Sequence, residues 1–228
     1  MIDCGFSLRE TTRRLQRLGV EPQQLDAILV THEHTDHCSG VAMLSRKYQI
    51  PVYLTHGTLS TGRCVNSFKL CCFNCEDSFT IGCLSVKAVT VPHDAAEPCQ
   101  YLLSWQGRTL GLLTDLGSIT PHVVDNYRVC DSLLLEFNHD LPMLQAGRYP
   151  PQLKRRVGGD WGHLNNEQAA ALLQQIDGAA LKHLVVAHVS EKNNSREKAE
   201  QALLSVFDSL DRVVFAEQAQ GFDWLEIA

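Results

Sequence analysis

Six consecutive residues, from His32 to His37, contain three histidines and two carboxylates in the pattern H-x-H-x-D-H. Packing in a core does not account for this segment, because every imidazole and carboxylate in it would need a buried partner. Alternate residues of an extended turn face the same way, so His32 and His34 can bind one metal ion, while Asp36 and His37, past a bend, face a second ion. The segment therefore predicts a metal site.

Three further residues with metal-binding side chains each follow an apolar run. His93 follows strand-like residues 89–92, Asp115 follows the run LGLLT, and His188 follows the run LVVA. Taken singly, each is typical of a surface or capping residue at a strand end. Taken with the hexapeptide, they predict a site with three histidines on one ion, an aspartate and two histidines on the other, and Asp115 bridging both.

Alternating helix and strand patterns place these residues at the ends of strands. Ser7 and Glu10 form a capping box and Gly19 a stop signal, which predict a helix over 7–18. The apolar run at 25–31 predicts a strand that ends on the hexapeptide, which is therefore expected on a loop. The other expected elements are helices at 39–48, 165–176 and 195–210, and strands at 51–55, 79–92, 99–115 with a turn at Gln106-Gly107, 132–137, 184–187 and 212–216. This order predicts one α/β domain over residues 1–228.

The composition limits the possible classes of protein. The chain has 228 residues, 44% of them hydrophobic, which argues against extensive disorder. Its net charge of −6 produces no global positive field, so a polyanion would have to be held by metal or by a small basic cluster. No run of about 18 apolar residues and no signal-peptide pattern is present, so we expect a cytoplasmic protein without a membrane partner. The nine cysteines are then expected to be thiols.

The successive motifs resemble those of the metallo-β-lactamase superfamily. H-x-H-x-D-H at 32–37, His93-Asp94, TDLG at 114–117 and AHVS at 187–190 follow that family's order, and Asp3 in IDCG resembles its first, structural aspartate. The resemblance implies a four-layer αββα sandwich. Members usually carry further β-strands before the IDCG motif, so the N-terminal strands of this chain are expected to be missing or shortened.

Within that superfamily the chain is most similar to the WalJ (YycJ) branch, which is related to ribonuclease Z-type and phosphodiesterase members. The segments that carry this likeness are EFNHD (136–140), YPPQLKRR (149–156), GHLNN (162–166) and AHVSEKNN (187–194). The branch implies a nuclease for single-stranded nucleic acid or a small phosphodiester, with a DNA exonuclease favoured. Two divalent ions, zinc or manganese with iron also admitted, would lower the pKa of a bridging water, and Asp36 would orient the resulting hydroxide.

Residues 142–163 are rich in proline and glycine and are expected to form a long irregular loop, of a kind that tends to be functional or mobile. His163 in this segment is the first candidate for protonating the leaving oxygen or neutralising a phosphate oxygen, by likeness to phosphodiesterase relatives. His139, with Asp140 as partner, is the second candidate, or else it orients a ligand or the loop. The expected substrate-binding residues are Lys154, Arg155 and Arg156 for phosphates, unless they form a solvated face, and Tyr149 and Trp161 for stacking on an unpaired base.

Two other functions stay open at this point. A glyoxalase-like thioester or lactone hydrolase would use the same scaffold with a small pocket and no basic loop. A non-catalytic regulatory protein would retain the metal site without turnover. The basic triplet beside Gly162-His163 favours the nuclease over the first alternative, and the seven intact ligand positions disfavour the second.

Overall fold

The computed structural model describes residues 1–227. Its helices are α1 (Leu8–Arg17), α2 (Thr35–Cys38), α3 (Val41–Tyr48), α4 (His56–Ser60), α5 (Pro121–Tyr127), α6 (Leu141–Ala146), α7 (Pro151–Val157), α8 (Asn166–Gln175) and α9 (Arg196–Leu203). Its strands are β1 (Ile28–Leu29), β2 (Pro51–Thr55), β3 (Lys69–Phe73), β4 (Ser78–Ile81), β5 (Leu84–Thr90), β6 (Cys99–Trp105), β7 (Arg108–Leu113), β8 (Ser132–Glu136), β9 (His183–Ala187) and β10 (Val213–Phe215). The predicted α/β class is confirmed. Among the helices within residues 1–227, none is both long and apolar enough to cross a membrane.

The chain divides into two compact units. The first contains residues 1–90 and 95–101, and the second contains residues 91–94 with the described residues from Leu102 onward. Strand β6 therefore contributes residues to both units. The single domain expected over residues 1–228 stays a prediction.

The first unit contains a parallel sheet in the order β1-β2-β3 and the antiparallel hairpin β4–β5. Val52 in the central strand pairs with Ile28 on one side and Leu70 on the other. Helices α3 and α4 pack against β2, and the apolar side chains between them form the buried core of this unit. The hexapeptide is separated from the buried strand β1 by two residues, Val30 and Thr31, which are also buried, so this core positions its histidines.

Four strands of the second unit run parallel in the order β7-β8-β9-β10. Leu113 pairs with Leu135, which in turn pairs with Val186, and all three side chains are fully buried. Apolar runs of this kind are typical of parallel strands that are covered on both faces. Because the carboxyl ends of parallel strands meet at one edge of a sheet, the residues that follow these three lie close together.

The prediction of an irregular loop over 142–163 is wrong, because the segment contains α6 and α7. Pro142 and Pro151 lie in the first turns of these two helices, where a missing N–H group breaks no helical hydrogen bond. Gly158 caps the carboxyl end of α7. The prolines of this segment therefore begin helices, although their number had indicated a loop.

The hexapeptide also differs from its expected loop, since α2 begins at Thr35 and includes Asp36 and His37. The strand expected at 25–31 is reduced to the two residues of β1. Other elements agree more closely: α1, α8, β2 and the turn at Gln106-Gly107, where both residues have positive φ, lie where the sequence predicts. Helix α9, however, ends at Leu203 instead of continuing to residue 210.

Candidate metal site

The first unit brings His32, His34 and His37 together after β1. His32 Nε2 and His34 Nδ1 are 2.9 Å apart, and the ring centroids of His32 and His37 are 4.1 Å apart. His32 is fully buried, whereas the side chain of Asp36 is 70% exposed. Two ring nitrogens at this separation suit one shared proton or one shared cation, so the donor set fits a metal ion.

Asp3 and Thr31 determine which ring nitrogens of this cluster are left as ligands. The Thr31 hydroxyl donates to Asp3 Oδ2 at 2.8 Å and therefore accepts from His32 Nδ1 at 2.9 Å. His37 Nδ1 donates to the same carboxylate oxygen at 2.8 Å. Because an imidazole that donates from Nδ1 presents a lone pair at Nε2, both histidines are held in the tautomer that a metal ligand requires. Asp3 therefore agrees with the structural role that the family motif implies for it.

In the second unit the parallel strands bring Asp115, Glu136 and His188 to one sheet edge, after β7, at the end of β8 and after β9. Asp115 and His188 have φ values of 53° and 54°, in the left-handed region, where a residue with a Cβ is strained by about 1 kcal/mol or more. The ligand atoms of Asp115, His163 and His188 all lie within 4.8 Å of one another. This carboxylate and imidazole set fits a divalent cation.

Glu136 is fully buried and holds the two histidines of this group in place. Its Oε2 accepts from Nδ1 of His163 at 3.2 Å and from Nδ1 of His188 at 3.1 Å. The backbone N–H groups that also donate to this carboxylate are those of Asp115, Leu116 and Leu164. Burial raises the pKa of Glu136, but the hydrogen bonds and charges of His163 and His188 outweigh it and bring the pKa below its usual value. Glu136 is not among the predicted site residues, although a carboxylate at the end of the apolar run SLLLE is a signal for one.

His93 is buried beside these residues. Its Nδ1 donates to the carbonyl oxygen of Gly162 at 3.1 Å, and its Nε2 is 3.8 Å from Asp115 Oδ1. Burial lowers the pKa of His93 in spite of the opposing charge of Asp115. The imidazole is therefore held neutral with Nε2 as the acceptor nitrogen, which is the state that binds a metal ion.

A close backbone approach at Gly117 ties the turn after β7 to the loop before His163. A Cβ at Gly117 would lie 2.3 Å from the carbonyl oxygen of Asp160 and 2.6 Å from the nitrogen of Gly162. The Gly117 N–H also donates to the carbonyl oxygen of Pro92 at 2.8 Å. Only glycine fits here, and it joins three of the turns that carry donor residues of this unit, those of His93, Asp115 and His163.

The seven predicted metal ligands thus lie in two clusters, one in each unit. The first contains His32, His34, Asp36 and His37, and the second contains His93, Asp115 and His188. His163, predicted as a proton donor, lies among the donors of the second cluster. The assignment of the seven residues to one dinuclear set stays a prediction.

His139, the second candidate proton donor, lies in the protein interior with 1% of its surface exposed. Its Nδ1 is 3.3 Å from Asn138 Oδ1, and within residues 1–227 its Nε2 has no hydrogen-bond partner. Burial lowers the pKa of His139 to about 4. The side chain is therefore a neutral buried imidazole, and it is not among the donors grouped with Asp115.

The basic triplet lies on the last turn of α7, where cations interact favourably with the helix dipole. Arg156 Nε donates to Asp94 Oδ2, and Lys154 Nζ donates to the carbonyl oxygen of Gln145 at 2.6 Å. Arg155 is exposed. Two of the three cations therefore have partners within the protein.

The two aromatic side chains predicted to stack on a base differ in exposure. Trp161 is 64% exposed and lies two residues before His163. Tyr149, just before α7, is half-buried, and the amino group of Lys192 is 5.8 Å from the centroid of its ring. Of the two, Trp161 offers the more accessible face.

Comparison with known proteins identifies the family. A model of the β-lactamase superfamily domain matches residues 1–189. The chain belongs to the metallo-β-lactamase superfamily. It is 34% identical to the exodeoxyribonuclease YycJ of Bacillus anthracis, over 91% of this chain and 80% of that protein. It is 32% identical to the exodeoxyribonuclease WalJ of Streptococcus pneumoniae, over 92% of this chain and 81% of that protein.

Solved structures agree with the fold. The crystal structure of the metallo-β-lactamase fold protein YhfI from Bacillus subtilis matches with a TM-score of 0.74 at 18% identity, over 98% of this chain and 86% of that chain. Identity this low shows the fold alone. The predicted metallo-β-lactamase fold and the likeness to the WalJ (YycJ) branch are confirmed, and the chain is a metal-dependent hydrolase whose family binds divalent metal.

Proposed function

We propose that this protein is a nuclease that hydrolyses phosphodiester bonds of single-stranded DNA, with exonuclease action favoured. The observation that carries the proposal is the donor group of Asp115, His163 and His188, organised by the buried carboxylate of Glu136, in a chain 34% identical to an exodeoxyribonuclease. Imidazole and carboxylate donors favour zinc or manganese as the divalent ions.

The residues proposed to hold two such ions are His32, His34, Asp36, His37, His93, Asp115 and His188. When bound, divalent ions lower the pKa of a water molecule and neutralise the charge of a phosphate group, which explains how an acidic protein can hold a polyanion. Asp36, with its exposed side chain, is the carboxylate proposed to orient the attacking hydroxide by accepting a hydrogen bond from it.

His163 is proposed to donate a proton to the leaving oxygen. Its Nδ1 is 3.2 Å from Glu136 Oε2, so Nδ1–H donates to that carboxylate and Nε2 carries the transferable proton. Its side chain is 20% exposed, which leaves the ring accessible to a substrate. Glu136 acts through His163 as a positioning residue.

An unpaired strand is the preferred substrate because of the aromatic side chains. A base can stack on Trp161 only when it has left a duplex, and this stacking is tolerant of sequence. Tyr149 is the second proposed stacking residue. The cations proposed to contact substrate phosphates near His163 are Lys154, Arg155 and Arg156.

The test is cleavage by metal-stripped protein that has been reloaded with zinc or manganese. The substrates are end-labelled single-stranded DNA, single-stranded RNA, bis-p-nitrophenyl phosphate and a thioester. We expect metal-dependent cleavage of the DNA with successive shortening from one end. Thioester turnover without phosphodiester cleavage would instead support the glyoxalase-like hydrolase, and metal binding without any turnover would support the non-catalytic regulator.

A further inference from the structure

A groove of about 920 Å³ lies in the first unit, between α1 and the carboxyl end of α3. Arg9, Arg13 and Gln16 line one side of it at positions i, i+4 and i+7, which share one face of a helix. Lys47 and Tyr48, at the end of α3, line the other side. The groove is therefore flanked by cations that come from two helices.

The positive charge of this groove is local. Helices α1 and α3 contain six lysines and arginines and a single acidic residue, Glu10, in a chain whose net charge is −6. Glu10 is 2.7 Å from Arg13 and 2.7 Å from Arg14, so its charge is already compensated. Arg9 and Lys47 are exposed. The surplus of cations creates a positive surface on an acidic protein, which suits a polyanion.

The groove begins next to the hexapeptide with the metal ligands. The backbone of Gly5 touches that of Asp36 so closely that a Cβ on Gly5 would lie 1.6 Å from the carbonyl oxygen of Asp36. The N–H of Cys4 donates to the carbonyl oxygen of His37 at 2.7 Å. Ser7, which lines the groove, follows Gly5 by two residues, a distance of at most roughly 7 Å along the chain. One or two stacked nucleotides, at about 3.4 Å each, span that distance.

Aromatic rings accompany the cations along this route. Phe6, between Gly5 and the groove, is 42% exposed, and the guanidinium of Arg14 lies 4.2 Å from its ring centroid. Tyr48 lines the groove, with the amino group of Lys47 5.1 Å from its ring centroid. Cations combined with aromatic rings are typical of surfaces that bind unpaired nucleic-acid strands.

We infer that the groove between α1 and α3 binds the backbone of a single DNA strand whose scissile bond lies at the metal ligands. This inference rests on the proposed nuclease function and adds a second region of contact to it. The ten residues of α1 span about 15 Å, the length of about four stacked nucleotides. An acidic peptide would match the charge, but the rings of Phe6 and Tyr48 and the contact with the metal-binding segment favour the DNA strand.

Binding of a fluorescent single-stranded oligonucleotide of about 12 nucleotides, measured with EDTA so that no cleavage occurs, tests this inference. The groove variant combines Arg9→Gln, Arg13→Gln and Lys47→Gln. The matched control combines Lys69→Gln, Arg108→Gln and Arg128→Gln, which removes three exposed cations outside the groove lining. Turnover of bis-p-nitrophenyl phosphate reports the folding and metal loading of every variant.

We expect the groove variant to bind the oligonucleotide about tenfold more weakly or worse, with a salt dependence shallower by about 2 in log–log slope. The control is expected to stay within about twofold of the wild type. The triple variant also loses the ion pair between Arg13 and Glu10. If this loss unfolds the protein, the double variant with Arg9→Gln and Lys47→Gln tests the inference in its place, with an expected change in the log–log slope of about 1.4.

Suppose that the wild type binds and cleaves the DNA, but the groove variant binds the oligonucleotide as tightly as the control variant does. This result would overturn the assignment of the groove as a DNA-binding site and would leave the nuclease proposal standing. A wild type that neither binds nor cleaves DNA with either metal overturns the nuclease proposal and the groove with it. Binding of polyglutamate as tight as binding of the oligonucleotide shows a site for acidic polypeptide and overturns the assignment to DNA.

Discussion

Glu136 Oε2 accepts a hydrogen bond from His163 Nδ1 at 3.2 Å, although 27 residues separate the two in the chain. The carboxylate is fully buried, so its charge is poorly screened by water. It fixes the tautomer and the orientation of the His163 ring. This pair connects the core of the second unit to the proposed chemistry.

Glu136→Gln is therefore expected to lower kcat by about 100-fold or more on bis-p-nitrophenyl phosphate, because a neutral amide replaces the carboxylate that accepts hydrogen bonds from Nδ1 of His163 and His188. Glu136→Asp keeps the charge and is expected to recover part of the rate. The measurement is kcat as a function of pH for both variants, with metal content determined on the same samples. An unchanged kcat in Glu136→Gln would mean that the role of this carboxylate is only structural, as the acceptor of hydrogen bonds from backbone N–H groups.

His163→Ala is expected to retain metal and to lose about 100-fold to 10,000-fold in kcat, because proton donation to the leaving oxygen contributes an effect of this size. His122→Ala, which alters an exposed histidine on α5, is the matched control and is expected to behave as the wild type. Metal content and single-turnover rates are measured together. Loss of metal in His163→Ala would make the residue a ligand, as its place among the donors near Asp115 would allow.

Asp115→Ala is expected to abolish metal loading and turnover together, and His34→Ala to do the same, because each removes a proposed ligand. Asp125→Ala removes an exposed carboxylate on α5 and serves as the control. Metal stoichiometry by elemental analysis, followed by the phosphodiester assay, checks this expectation. An active Asp115→Ala variant that carries the full metal content would contradict the ligand assignment.

The buried imidazole of His139 is expected to make folding sensitive to acid. Burial lowers its pKa to about 4, whereas a histidine in the unfolded chain titrates at about 6.5. Between these pH values the unfolded state binds a proton that the folded state does not. The contribution of His139 to stability is therefore complete above pH 6.5 or so and is lost as the pH falls toward about 4, by at most about 1.4 kcal/mol per pH unit.

Urea unfolding of metal-free protein at about pH 7.5 and about pH 5 measures this loss. The variant His139→Gln, which cannot titrate, is expected to lose less free energy of unfolding between the two conditions than the wild type. Equal losses in the two proteins would show that other groups account for the acid sensitivity.

Local interactions made much of the secondary structure predictable. Helix α1 begins where the capping box predicts, because a cap involves residues only three positions apart. Strand β2 has its predicted bounds because its apolar run is short and bordered by turn signals. Among the elements that were missed, three have weak local signals: β3 contains Lys69 and two cysteines, and α6 and α7 begin with prolines that also suit a loop.

The sequence by itself predicted the fold family, through the order of its motifs, and the seven proposed metal ligands, because the density of histidines and carboxylates at 32–37 is not explained by packing and the other three ligands follow apolar runs. Only the tertiary structure decided the role of Glu136, whose donors come from three separate segments of the chain. The same holds for the groove of α1 and α3: the spacing of Arg9 and Arg13 is visible in the sequence, but Lys47 joins them only after folding. Contacts between residues far apart in the chain depend on how strands and helices pack, and local sequence patterns do not predict that packing.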